Sequence, residues 1–134
     1  MKSRIFVVED HDVMREAYRM AIEIEPDLEL CGTAGTAQEA LDAIAAAAPD
    51  LVLVDVSLPG MSGLELIERL RQAHPGLPAL VVSGHHGAVY AERALAAGAR
   101  GYLDKKGVAT VLLDAIHRVL EGEIYLSEDG RTRS

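Results

Sequence analysis

The stretch LVLVDVSLPGMSG, residues 51–63, decides how the chain folds. Apolar residues run from Leu51 to Val54 without a polar break, stop on the carboxylate of Asp55, and give way to a Pro-Gly turn. A short, continuously apolar run bounded by turn residues reads as a strand buried on both faces, since a half-exposed strand would alternate polar and apolar side chains. Working outward, IFVV at 5–8 and ALVV at 79–82 have the same character, and LELCGT at 28–33 and RGYL at 100–103 complete a set of strand candidates.

The segments between them carry helical spacing. Val108, Val111, Leu112, Ala115, Ile116 and Val119 fall on one stripe of the last helix, and Val13, Ala17, Met20, Ala21 and Ile24 predict the buried stripe of the first. Thr36 with Glu39 and Ser62 with Glu65 spell capping boxes, in which side chains satisfy otherwise unpaired backbone donors; Asp12 is placed to cap the first helix. Pro49 and Pro75 close the second and third helices. The fourth, about 88–97, has only Val89, Tyr90 and Leu95 as large apolar anchors, which predicts weak docking and a movable element. From residue 123 onward no period is visible, and residues 123–134 read as a tail. Five strands alternating with five helices predict an α/β domain with one parallel sheet covered on both faces.

Composition agrees with one folded unit. The chain has 134 residues, 49% of them hydrophobic and 25% charged, enough for a single core and too apolar for disorder. Its net charge of −8, with no block of like charges, offers no electrostatic footprint for nucleic acid or an anionic membrane. The single cysteine, Cys31, excludes an internal disulfide and fits a reducing compartment. The opening MKSRIFVVED is too briefly apolar for a signal peptide, and no run is long enough to span a bilayer. The expected location is cytoplasmic.

In an open parallel sheet the functional crevice lies beyond the carboxyl ends of the strands. There the first strand ends in Glu9 and Asp10, the third in Asp55 and the fourth in Ser83, and the fifth leads through Tyr102 to Lys105. Each residue alone has an ordinary reading as a cap, a turn former or a solvated charge. Together, three carboxylates and one ammonium sum to −2, and carboxylates that crowded repel one another. A divalent cation cancels the sum, and hard oxygen donors without Cys or a His cluster select Mg²⁺.

The combination of Glu9-Asp10, Asp55 followed by Leu58-Pro59-Gly60 and Gly63, Ser83-Gly84, and GARGYLDK at 98–105 resembles the receiver domain of two-component response regulators. Within that family, GARGYLDKKG and VLEGEIYLS resemble receivers preceding LuxR/NarL-type helix-turn-helix domains. The resemblance implies a flavodoxin-like, doubly wound five-stranded sheet of order 2-1-3-4-5, with residues 1–122 as receiver and 123–134 as a tail or the start of an interdomain linker. It implies that Asp55 is the phosphoacceptor for a sensor histidine kinase. Mg²⁺ would be held by Asp10, Asp55 and the backbone carbonyl of Ser57, with Glu9 acting through water. Ser83 and Lys105 would contact the phosphoryl oxygens, Tyr102 would swing inward as Ser83 moves, and Ser57 and His85 would tune the phosphate's lifetime. Glu9 stands where Asp is more usual, and Lys106 where many receivers carry proline.

The output implied is a DNA-binding domain missing from this chain; the alternative is a stand-alone receiver in a phosphorelay or acting by protein contact. The helix-one and helix-five faces are candidate homodimer surfaces. Two rivals on the same fold fit less well. A flavin carrier needs a small-residue phosphate loop where Glu9-Asp10 would repel phosphate, and an aspartate-nucleophile phosphatase needs an acid at position 57, which is Ser. The domain is therefore read as a signalling switch that promotes its own phosphorylation and dephosphorylation, not as a turnover enzyme.

Overall fold

The computed structural model describes residues 2–56, 58, 60–84 and 88–126, with the backbone alone for 88 and 89. Strand β3 (Leu51–Asp55) is buried along its whole length. It pairs with β1 (Ser3–Val8) on one side and β4 (Ala79–Ser83) on the other, and β2 (Leu28–Ala34), β5 (Gly101–Asp104) and β6 (Tyr125–Leu126) extend the sheet to the order β2-β1-β3-β4-β5-β6. All neighbours are parallel.

The expected order 2-1-3-4-5 is present, and the expected count of five strands is corrected to six. The added strand is two residues long and falls in the segment that has no period, because two residues are too few to show one. Its partner Gly101 is hemmed in by the core and by this strand. A Cβ there would lie 2.5 Å from Leu80 Cδ1 and 3.2 Å from the carbonyl oxygen of Tyr125.

Successive side chains of a strand point to opposite faces, and the core divides accordingly. On one face Ile5, Val7, Leu51, Leu53, Leu80 and Val82 meet α1 (Asp12–Ile24) and α5 (Val108–Leu120). On the other, Phe6, Val8, Val52, Val54 and Val81 meet α2 (Ala37–Ala47), α3 (Gly63–Ala73) and α4 (Ala88–Ala97). The stripe predicted for the last helix is the observed one: Val108, Leu112, Ala115, Ile116 and Val119 are buried. Among the described side chains of α4, the small ones of Ala94 and Ala97 are buried, with Tyr90 and Ala91 partly packed against the same core.

The first helix turns a different face inward from the one predicted. Val13, Met20 and Ile24 are 81%, 56% and 73% exposed, whereas Tyr18 and Ile22 are buried with Met14 and Ala21 packed beside them. Both stripes have helical period, so period alone does not choose between them; the inward one carries the bulky Tyr18 ring and buries more surface. Capping follows the sequence at α2 and α3, where Thr36 Oγ1 accepts from the Glu39 N–H and Ser62 Oγ from the Glu65 N–H, both at 3.1 Å. At α1 the cap position is His11, and Asp12 is instead the first helical residue and pairs with Arg15.

At the amino edge of the sheet, His117 of α5 reaches the turn between α1 and β2, with Nε2 3.1 Å from Asp27 Oδ2 and 3.8 Å from Glu25 Oε1. The hydrogen bond to Asp27 raises the His117 pKa above its ordinary 6.5, and the Asp27 and Glu25 charges add to it. A raised folded-state value means that this tie stabilises fully below the ordinary value and is lost as pH rises through the raised one. His117→Gln is expected to lower the urea midpoint at about pH 5.5 and leave it nearly unchanged at about pH 9. Equal losses at both would show that the side chain acts by packing alone.

Candidate functional site

The parallel register brings the carboxyl ends of the central strands level: Val8 lies opposite Val54, Asp55 opposite Val82, and Ser83 opposite Asp104. The chain continues from β1 into Glu9 and Asp10, β3 ends on Asp55, β4 on Ser83, and β5 leads into Lys105, whose N–H donates to the Ser83 carbonyl at 2.7 Å. The side chains follow. Lys105 Nζ is 3.3 Å from Asp55 Oδ2 and 3.9 Å from Glu9 Oε1. The Asp55 and Glu9 side chains are 1% and 0% exposed, while Asp10 at 29% and Lys105 at 24% form the mouth. Ser83 and Tyr102 are buried just behind, joined by a side-chain hydrogen bond, so Tyr102 stands inward in this structure. The structure thus brings Glu9, Asp10, Asp55, Ser83, Tyr102 and Lys105 to one edge. Ser57 and His85 lie outside the described residues.

Gly63 matters to this arrangement because α3 begins hard against the exit of β3. A Cβ on Gly63 would sit 2.6 Å from Val56 Cα and 2.7 Å from the Asp55 carbonyl oxygen, both backbone atoms that cannot move without carrying Asp55 along. Gly63 is therefore a packing requirement of the site.

The electrostatics are those of a pocket short of positive charge. Burial raises the Glu9 pKa first of all; the His11 hydrogen bond opposes that shift, and the Asp55 charge adds to it. Glu9 Oε1 and Asp10 Oδ1 are buried without a hydrogen-bond partner among the described residues. Glu9, Asp10, His11 and Asp55 each place one ligand atom within 4.8 Å of the others. Orphaned carboxylate oxygens around a common centre are what a hard divalent cation requires, so the residues present fit Mg²⁺.

Two neighbours of the site escaped the sequence reading. His11 lies over the carboxylates, with Nδ1 3.0 Å from Glu9 Oε2 and 3.3 Å from Asp10 Oδ1. Its place directly after Glu9-Asp10 was the available signal. The hydroxyl of Tyr18 is buried with no hydrogen-bond partner among the described residues, and burial, reinforced by the charges of Glu9 and Asp55, raises its pKa. Helical spacing gave no hint of it, because the predicted stripe passed it by.

Comparison with known proteins decides the family. Residues 5–117 match the response regulator receiver domain. The chain belongs to that family. It is 34% identical over 125 residues to the transcriptional regulatory protein UhpA of Salmonella typhimurium, covering 93% of this chain and 62% of that protein. It is 35% identical over 126 residues to the nitrate/nitrite response regulator protein NarL of Escherichia coli, covering 92% of this chain and 57% of that protein. The receiver thus spans about three fifths of the length of these curated relatives. Among solved structures it is similar to a two-component response regulator of the LuxR family from Aurantimonas sp., with a TM-score of 0.92, 35% identity, and coverage of 96% of this chain and 92% of that one. The signal receiver domain of a NarL from Mycobacterium tuberculosis superposes with a TM-score of 0.85 at 30% identity, covering 91% of this chain and 98% of that one. The relatives are LuxR/NarL-type regulators, as the resemblance implied. No helix among the described residues is long and apolar enough to cross a membrane.

Two changes test how the receiver tolerates its polar interior. Tyr18→Phe removes a buried hydroxyl that has no partner among the described residues, and is expected to leave stability unchanged or raise it by about 1 kcal/mol in urea unfolding. A loss of more than that would reveal a partner for the hydroxyl. Asp10→Asn lowers the repulsion in the pocket, so the variant is expected to be at least as stable as the parent without Mg²⁺ and to gain less from added Mg²⁺, read as the shift in melting temperature with metal concentration.

Proposed function

We propose that this receiver takes a phosphoryl group from the phosphohistidine of a sensor histidine kinase onto a carboxylate oxygen of Asp55. The observation that supports the reading best is a carboxylate held almost wholly out of water at a strand end, 3.3 Å from a lysine ammonium and flanked by a second buried acid. In the transfer a carboxylate oxygen attacks phosphorus, the P–N bond to the imidazole breaks, and the nitrogen keeps the electron pair. Hydrolysis of the resulting acyl phosphate returns the carboxylate and inorganic phosphate, which suits a signal that must decay.

Phosphoryl transfer depends on positioning and charge stabilisation more than on covalent chemistry by the protein. Asp10, Asp55 and the backbone carbonyl of Ser57 would hold Mg²⁺, with Glu9 beside them. When bound, the ion neutralises the carboxylates and the incoming phosphoryl charge. Lys105 moves from its pairing with Asp55 to the phosphoryl oxygens, and the Ser83 hydroxyl donates to one of them. Each is a charge-assisted bond absent from the resting chain. Turning a two-state domain from mostly off to mostly on needs roughly 5 kcal/mol of differential contact, which a few such bonds provide.

The response is read out through Ser83 and Tyr102 at the face of α4, β5 and α5. Residues 1–122, completed by the edge strand at 125–126, form the receiver unit, and the output that the relatives support is a LuxR-type DNA-binding domain. The protein is a cytoplasmic switch, and a homodimer through α1 or α5 is one route to the output.

Incubation with acetyl phosphate and Mg²⁺ followed by intact-mass measurement is expected to show one added phosphoryl group. The adduct should be absent with EDTA and absent in Asp55→Asn. An adduct that persists in Asp55→Asn, or none in the parent, would refute the assignment.

A further inference from the structure

Glu9 poses a problem that an aspartate at the same place would not. Its extra methylene adds a torsion, and a carboxylate free to choose among rotamers loses entropy whenever it is fixed on a ligand. Yet its side chain is completely buried and its two oxygens are used quite differently. Oε2 accepts the backbone N–H of His11 at 3.2 Å and lies 3.0 Å from Nδ1 of the same residue. Oε1 receives no hydrogen bond among the described residues and lies on the Lys105 side of the pocket, 3.9 Å from Nζ. One residue therefore occupies one oxygen and leaves the other to the cluster.

We infer that His11 is a positioning residue for the metal site: it clamps Glu9 through Oε2 so that Oε1, held by no hydrogen bond among the described residues, is presented to the cluster with Asp10 and Asp55. An ionised carboxylate only accepts hydrogen bonds, so the clamp requires the hydrogen on Nδ1 of the ring. The nitrogen that donates to Glu9 has no lone pair for a metal, so Nδ1, which also lies 3.3 Å from Asp10 Oδ1, serves to orient the carboxylates and is not itself a ligand atom. Partners of this sort, one step removed from the ion, commonly change metal affinity by tenfold or more when removed. The imidazole is 63% exposed, so its truncation leaves the core intact and separates this role from folding.

The inference rests on the proposed Mg²⁺ site, and the experiment tells the two apart. Mg²⁺ binding is measured by calorimetry on the unphosphorylated protein, with urea unfolding as the control for folding. His11→Ala is expected to weaken Mg²⁺ about tenfold. His11→Asn, whose amide can donate from nearly the position of Nδ1, is expected to recover most of that. In a Glu9→Asp background, where the shortened carboxylate no longer reaches the ring, His11→Ala is expected to cost less than about twofold. Histidine ring ¹H–¹⁵N spectra of the Mg²⁺-bound parent should keep the hydrogen on Nδ1. If the parent binds Mg²⁺ but His11→Ala binds as well or better, or the loss is as large in the Glu9→Asp background as in the parent, or the ring hydrogen moves to Nε2, the positioning role is overturned while the metal site stands. A parent that binds no Mg²⁺ overturns both.

Discussion

The constraint on which the structure turns is the crowding of Glu9 and Asp55, two buried carboxylates that share one ammonium, Lys105. Removing a charge from water is expensive, and two like charges side by side add repulsion to that cost. The His11 hydrogen bonds to Glu9 and the Lys105 ammonium offset only part of it. The rest of the offset comes from the apolar cores on either face of the sheet, which hold the strand ends in place whether or not their charges agree. The site is a local frustration that the packing overrules, the usual condition of a functional site in an otherwise consistent sequence.

That compensation is uneven across the sheet. α1 and α5 are pinned to one face by large side chains such as Tyr18, Ile22, Leu112 and Ile116, and α3 to the other by Leu66, Ile67 and Leu70. α4 buries Ala94 and Ala97. An element whose fully buried described side chains are alanines makes fewer apolar contacts than its neighbours, which fits the movable role expected of it. The chain of connection is short: Lys105 is tied to Ser83 through the backbone, Ser83 to Tyr102 through its side chain, and Tyr102 belongs to the cluster that packs Tyr90 and Ala91 of α4.

The sheet's centre was legible because a strand buried on both faces has almost no freedom of composition: LVLV and ALVV admit no other reading once Pro and Gly bound them. The edge of the site was legible for a related reason, since topology sends the ends of parallel strands to one place, so that Asp10, Asp55 and Lys105 could be set together from chain order alone. The rest failed where one period fits two faces or where an element is too short to have a period. Val13, Met20 and Ile24 lie on a stripe as regular as that of Tyr18 and Ile22, and only packing distinguishes them. Tyr125–Leu126 became a strand because an edge and a glycine were there to receive it. His11 was hidden because its role depends on the direction of a neighbouring carboxylate, which no pattern encodes.

A lysine at position 105 fits the phosphoryl capture proposed for the pocket. In the resting chain it pairs with Asp55 at a single contact of 3.3 Å, from a stem that remains about a quarter exposed. An arginine there would grip the carboxylate through two parallel bonds and hold both oxygens. Such a grip would stabilise the apo pocket and oppose any reaction at either oxygen. A lysine is a point charge on a flexible stem, strong enough to make the buried carboxylate tolerable and loose enough to follow the charge outward in the phosphoryl transfer proposed above. Under the proposed function, a one-point Lys105–Asp55 contact lets the same ammonium serve both states, since neither would hold it by two-point geometry.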